Sequence, residues 1–100
     1  MQFEIEFTRR AANHIRGFRK FEQNIIIDAI EEQLQYNPNH ETRNKKHLGG
    51  SELSDWELRV RKYRIFYDII LENDIKAVKI KAVGFKEHNI LYIGGMEVKL

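Results

Sequence analysis

The chain has 100 residues, with 17 Lys and Arg against 15 Asp and Glu, a formal net charge of +2 and no cysteine. That length allows one domain over residues 1–100 with a modest core, and without cysteines neither a disulfide nor a thiolate zinc site can be built. No apolar run is long enough for a membrane span, and the charged, alternating opening is not a signal peptide, so a soluble cytoplasmic protein without membrane contact is expected.

Phe3, Ile5 and Phe7 alternate with Gln2, Glu4 and Glu6, which predicts a first strand with one wet face. Thr8 then offers a helix N-cap. Ala11, Ala12, Ile15 and Phe18 recur at helical spacing and predict a short helix to about Gly17, with His14 on its surface. A longer helix follows, with Phe21, Ile25, Ile26, Ile30 and Leu34 as its apolar stripe, and Asn37-Pro38 ends it. From Asn39 to Asp55 no periodicity survives, and a long loop is expected there. It carries the basic cluster Arg43, Lys45 and Lys46, while His40 and His47 lack the spacing of metal ligands.

Trp56 to Asp68 is the most informative stretch. Apolar and polar residues alternate on both sides of Arg61-Lys62, which predicts two strands joined by a tight turn. Folding at that tip puts Arg59 opposite Arg64, and Glu57 opposite Phe66. Trp56, Leu58, Val60, Tyr63, Ile65 and Tyr67 fall on the other, core-facing side. A two-residue tip ordinarily wants Asn or Gly at positive φ, which Arg-Lys does not supply; a four-residue tip from Val60 to Tyr63 would keep the same pairs. Like charges facing each other across a strand pair cost up to roughly 1 kcal/mol. Either an anion between the two guanidinium groups offsets that cost, phosphate being the natural one, or the side chains splay into water, or Glu57 neutralises one of them.

Charge is distributed to match. Residues 1–36 carry five Lys and Arg against six Asp and Glu, whereas residues 43–64 carry seven against three. A local positive field of this kind suits a polyanionic partner, although ordinary surface lysines give the same count. After the hairpin, Asp68 to Leu71 continues its second strand and Glu72-Asn73-Asp74 turns. Ile75 to Val83 predicts another strand with Val78, Ile80 and Ala82 on one face and Ala77, Lys79 and Lys81 on the other. Ile90 to Ile93 is a last apolar run, Gly94-Gly95 bends, and Met96 to Leu100 is a short tail able to add an edge strand. The expected class is α+β: an antiparallel meander with two N-terminal helices on one face, in the order β-α-α-β-β-β-β.

Trp56-Glu57-Leu58-Arg59-Val60, Tyr63-Arg64-Ile65-Phe66-Tyr67-Asp68, Ala82-Val83-Gly84, Lys86 and Leu91-Tyr92-Ile93-Gly94-Gly95, together with the opening strand and the acidic second helix, resemble the RelE/ParE superfamily of type II toxins. The likeness covers nearly the whole chain. It implies one of two activities: RelE-type members cut messenger RNA on the ribosome, and ParE-type members share the fold, lack the nuclease constellation and poison DNA gyrase. A third possibility is an attenuated relative that acts only through its antitoxin complex. All three imply a cognate antitoxin as partner, one that brings acidic residues to the basic face.

On the RelE reading, the resemblance places Arg59 and Arg64 at that branch's basic strand position and its phosphate-binding arginine. Lys86 falls at its basic residue after the Val-Gly turn, and Tyr92 at its tyrosine near the scissile phosphate. His88 lies close to a position that is basic or His in several nucleases of this fold. Glu57 departs, since the archetypal residue there is lysine. Metal-independent cleavage would then use Glu57 as base, or Glu57 would only pair with Arg64. Arg59, Arg64 and Lys86 would steady the phosphate oxygens. His88 would be the acid, and Tyr92 would stack on a base or tuck into the core. Arg61, Lys45 and Lys46 extend the phosphate-binding set. The implied products are a 2′,3′-cyclic phosphate and a 5′-hydroxyl, with no cofactor.

Overall fold

A computed structural model describes residues 2–99. Seven strands and two helices follow in the order β1 (Glu4–Phe7), α1 (Arg9–Arg16), α2 (Lys20–Leu34), β2 (Lys45–His47), β3 (Trp56–Val60), β4 (Tyr63–Glu72), β5 (Ile75–Glu87), β6 (Ile90–Ile93) and β7 (Met96–Val98). The strands form one sheet in the spatial order β2-β3-β4-β5-β6-β7, and β1 pairs with β5. The α+β class stands, with three refinements. β1 runs parallel to β5 rather than antiparallel. The stretch expected as loop contains β2, which pairs Lys46 with Glu57. The tail supplies β7 through Val98, and Leu100 lies outside the described residues. Among the described residues no helix is long and apolar enough to cross a membrane.

Both helices lie on one face of the sheet, where Ile15, Ile26, Ile30 and Leu34 meet Leu58, Ile65, Tyr67 and Val78 in the main core. Phe21 falls outside this stripe at 59% exposure, and Ala29 is buried in the helix instead. The opposite, outer face carries a small second core of Phe66, Ala82, Leu91 and Ile93, against which Leu48 and Leu53 pack. Ala82 belongs to that second core and not with Val78 and Ile80, because the β4–β5 register slips between Phe66 and Tyr67. A bulge of one residue reverses the facing of everything beyond it.

From β3 onward the hairpin tips are two residues long. Asn73-Asp74, His88-Asn89 and Gly94-Gly95 have φ positive at both positions, as type I′ turns require. The Arg61-Lys62 tip is also two residues, since Val60 pairs with Tyr63, and Arg61 is held at φ 53°. A β-substituted residue in that region costs roughly 1–2 kcal/mol, part of which glycine returns through the entropy of the unfolded chain. Arg61→Gly is therefore expected to stabilise the fold by about 0.5–1 kcal/mol. Urea denaturation reads it; an unchanged or lower midpoint would show that the guanidinium contributes as much as the strain costs.

β1 and β6 share one edge of β5, β1 on residues 77–80 and β6 on residues 84–87. The gap between them is closed by α1. Thr8, its N-cap, accepts from Ala11 N–H at 3.0 Å and donates to Lys81 O at 3.3 Å, and His14 Nδ1 accepts the Val83 N–H at 3.2 Å. Sheltering from water, and then the nearby Arg10 cation, lower the His14 pKa from 6.5. The folded chain thus resists a proton that the unfolded chain takes up below about 6.5, so this contribution is complete above that pH and fades as pH falls through the folded value. Denaturation midpoints measured from pH 8 to pH 5 should fall in the wild type, and His14→Gln should flatten the part between pH 7 and 5.

Candidate anion-binding cleft on the outer face

Period-two alternation and the two-residue tip fix the site. Arg59 pairs with Arg64 and Glu57 with Phe66, so these side chains project from the outer face. Arg64 in turn faces Gly84, which has no side chain, and Lys86 pairs with Leu91 on the same face. Glu57, Arg64 and Lys86 thereby line a cleft of about 460 Å³, together with Asn89, Leu91 and Glu97.

The two guanidinium groups do not form one fork. Arg59 Nε donates to Glu57 Oε1 at 2.7 Å, with the arginine side chain 46% exposed and the carboxylate 6%. Glu57 was expected either to act as base or to pair with Arg64; its partner is Arg59, two residues along the same strand and the same face. Arg64 Nη1 donates to the Arg61 and Tyr63 carbonyls, each at 2.9 Å, which folds it over the hairpin tip. Burial, opposed by Glu57 and assisted by Arg59, lowers the Arg64 pKa, yet a guanidinium stays charged at neutral pH. Desolvation makes that charge the more responsive to an arriving anion.

Other expected members lie elsewhere. Tyr92 is on the helix-side face, because it pairs with Phe85 and not with Lys86. Its ring stacks on Phe85 at 5.3 Å and 24°. His88 sits at the exposed tip of the β5–β6 hairpin at φ 51°; its neighbour Asn89 lines the cleft and His88 does not. Lys45 is 7% exposed, and its Nζ donates to Gln33 O at 3.4 Å and Asn37 O at 3.1 Å. It caps the carbonyl end of α2, where a cation meets the negative end of the helix dipole, and burial lowers its pKa. Lys46 does reach the outer face, level with Glu57. Arg61 is exposed at the tip.

Asn89 and Glu97 were not anticipated. Asn89 was detectable as the second residue of a His-Asn pair between apolar runs; Glu97 depends on β7 folding back, for which the sequence gives only Gly94-Gly95. Among the described residues no group of three His, Asp or Glu side chains converges on a point that could hold a metal ion.

A family model described as the ParE toxin of type II toxin-antitoxin systems, parDE, matches residues 5–89. Among solved structures, a chain of the toxin-antitoxin complex RelBE2 from Mycobacterium tuberculosis is similar at a TM-score of 0.69 and 21% identity, covering 86% of this chain and 100% of that one. A search of curated proteins finds no match.

Proposed function

With the match spanning residues 5–89, the chain belongs to the ParE toxin family within the RelE/ParE superfamily and is a toxin of a type II toxin-antitoxin system; on the geometry of the outer cleft, and not on the family match, we propose that it acts as a metal-independent endoribonuclease on messenger RNA at the ribosome. The observation carrying this reading is the convergence of Glu57, Arg64 and Lys86 on one cleft. In the proposed reaction Glu57 takes the 2′-hydroxyl proton and O2′ bonds to phosphorus. The P–O5′ bond breaks with its electron pair on O5′, which takes a proton from water, His88 lying outside the cleft lining. Arg64 and Lys86 neutralise the non-bridging oxygens, where charge accumulates in the transition state. Arg59 fixes the Glu57 carboxylate through its 2.7 Å bond. A cognate antitoxin would silence the site by laying acidic side chains over Arg59 and Arg64.

Expressing the chain without its antitoxin, followed by mapping of RNA 5′ ends, tests this. New 5′-hydroxyl ends within translated messages are expected from the wild type and not from Glu57→Gln. Arrest without new ends, accompanied by loss of DNA supercoiling, would replace this reading with a ParE-like gyrase inhibitor. That second reading draws on the separation of Tyr92 from the cleft and on the ion pair occupying Glu57. Expression without any arrest would point to a fold that works only within its antitoxin complex.

A further inference from the structure

Charge in the first third of the chain is segregated. All five Lys and Arg of residues 1–36 fall within residues 9–20, which hold no Asp or Glu, whereas residues 21–36 hold Glu22, Asp28, Glu31 and Glu32 and no Lys or Arg. Helix α1 is therefore basic, and it opens on Arg9 and Arg10 with no acidic residue in its first turn. That placement opposes folding, because the positive end of the helix dipole favours carboxylates there. Ala11 and Ile15 are buried in the main core, while Arg9, Arg10, Asn13 and Arg16 are exposed. Arg9, Asn13 and Arg16 are spaced i, i+4 and i+7, so they share one stripe on the side away from the buried pair. Arg16 is steadied on it, its Nη1 donating to Asn13 Oδ1 at 2.6 Å. Past the Gly17 cap, the exposed Arg19 and Lys20 carry the patch to the start of α2. Among the described residues none of the five cations forms an ion pair. Glu22 is engaged elsewhere, accepting from Tyr63 O–H at 2.6 Å and lying 3.7 Å from Lys62 Nζ.

We propose that the exposed face of α1 grips the phosphate backbone of double-stranded RNA, holding the toxin on a structured RNA while the outer cleft takes the message. Arg9 and Arg16 stand two turns apart, about 10 Å along the helix axis, so they meet separate phosphates instead of chelating one anion. A convex helix face with no Phe, Tyr or Trp offers unpaired bases nothing to stack on; it suits the regular phosphate rows of a duplex. An acidic peptide fits less well, since the stripe carries no apolar side chain to anchor one between the charges. Helix α1 and the outer cleft lie on opposite faces of the sheet, so both RNAs can be held at once. The inference rests on the ribonuclease reading for its choice of RNA, but its test does not depend on cleavage.

The probe is a short blunt RNA duplex of mixed sequence, its binding followed by fluorescence anisotropy at several salt concentrations. The paired variant Arg9→Glu with Arg16→Gln should weaken binding roughly tenfold or more and lower the slope of log K against log salt by about two. Its fold is kept, because a glutamate in the first turn complements the helix dipole, and circular dichroism checks that. Removing two cations elsewhere, Lys76→Gln with Lys79→Gln on β5, should leave binding within about twofold. No binding by the wild type, equal losses in both pairs, or tighter binding to the matching DNA duplex would each overturn the proposal. So would an α1 pair that binds the duplex normally but no longer associates with its co-expressed antitoxin, which would make this face the antitoxin's. Duplex binding that depends on α1, in a chain that cuts no message, would uphold the proposal while sinking the ribonuclease reading. Cleaved messages without duplex binding would do the reverse.

Discussion

Gly84→Ala is expected to cost about 3 kcal/mol or more and to lower the melting temperature by roughly 12 °C or more. The glycine is not required for its backbone angles, since its φ lies outside the left-handed region; it is required for space. A Cβ there would stand 2.2 Å from the Tyr92 carbonyl oxygen and 2.8 Å from Ile93 Cγ1. The nearer atom is backbone of the paired strand, so no rotamer change relieves the contact, and β6 would have to move away from β5. Against a total stability of about 5–15 kcal/mol for a domain of this size, the variant is near the threshold of folding. The loss would also reach the cleft, because Leu91 and Asn89 are carried by the displaced strand and its tip. Thermal and urea denaturation followed by circular dichroism measure the effect; a change below about 1 kcal/mol would mean that the sheet opens locally at little cost.

Where one face of a strand is wet, the sequence showed the structure. Trp56 to Tyr67 alternates cleanly, and all five pairs of that hairpin are those the spacing predicts, Arg59 opposite Arg64 among them. Thr8 shows its capping role because a hydroxyl before an apolar helical pattern has few other uses. Legibility fails where both faces are covered. In Ile90-Leu91-Tyr92-Ile93, Leu91 and Ile93 face the small outer core while Tyr92 packs on Phe85, so the run is apolar throughout and carries no sign of which side the phenol takes. The tip length decides it, and two residues at His88-Asn89 put Tyr92 on the helix side. The bulge near Phe66 is equally silent, since one extra residue changes no composition and yet moves Ala82 to the other face. Lys45 misled for another reason: a cluster of basic residues reads as solvated, and only the folded chain reveals the Gln33 and Asn37 carbonyls, at and just past the end of α2, that hold its ammonium.

Replacing Arg64 by alanine should lower the cleavage rate by about 10²–10³ while leaving the fold within about 1 kcal/mol of wild type. The two effects separate because of where the guanidinium sits. Its hydrogen bonds go to the carbonyls of Arg61 and Tyr63, beside an exposed tip where water can replace them, so little stability depends on it. Its partly desolvated charge, by contrast, stands in the cleft with Glu57 and Lys86, where each unit of developing phosphorane charge is felt most strongly. Arg64→Lys preserves the charge and forfeits the planar fork, so it should recover only part of the loss. Glu57→Gln should abolish cleavage yet retain binding of a 2′-O-methyl hexaribonucleotide probe, which cannot form a cyclic phosphate, since the amide cannot accept the 2′-hydroxyl proton as a base and no phosphate contact is removed. It also frees Arg59 from its ion pair, so probe affinity should rise modestly. If growth arrest persists undiminished in Arg64→Ala and in Glu57→Gln, no phosphate chemistry takes place in this cleft, and the toxin acts by occupying a protein target.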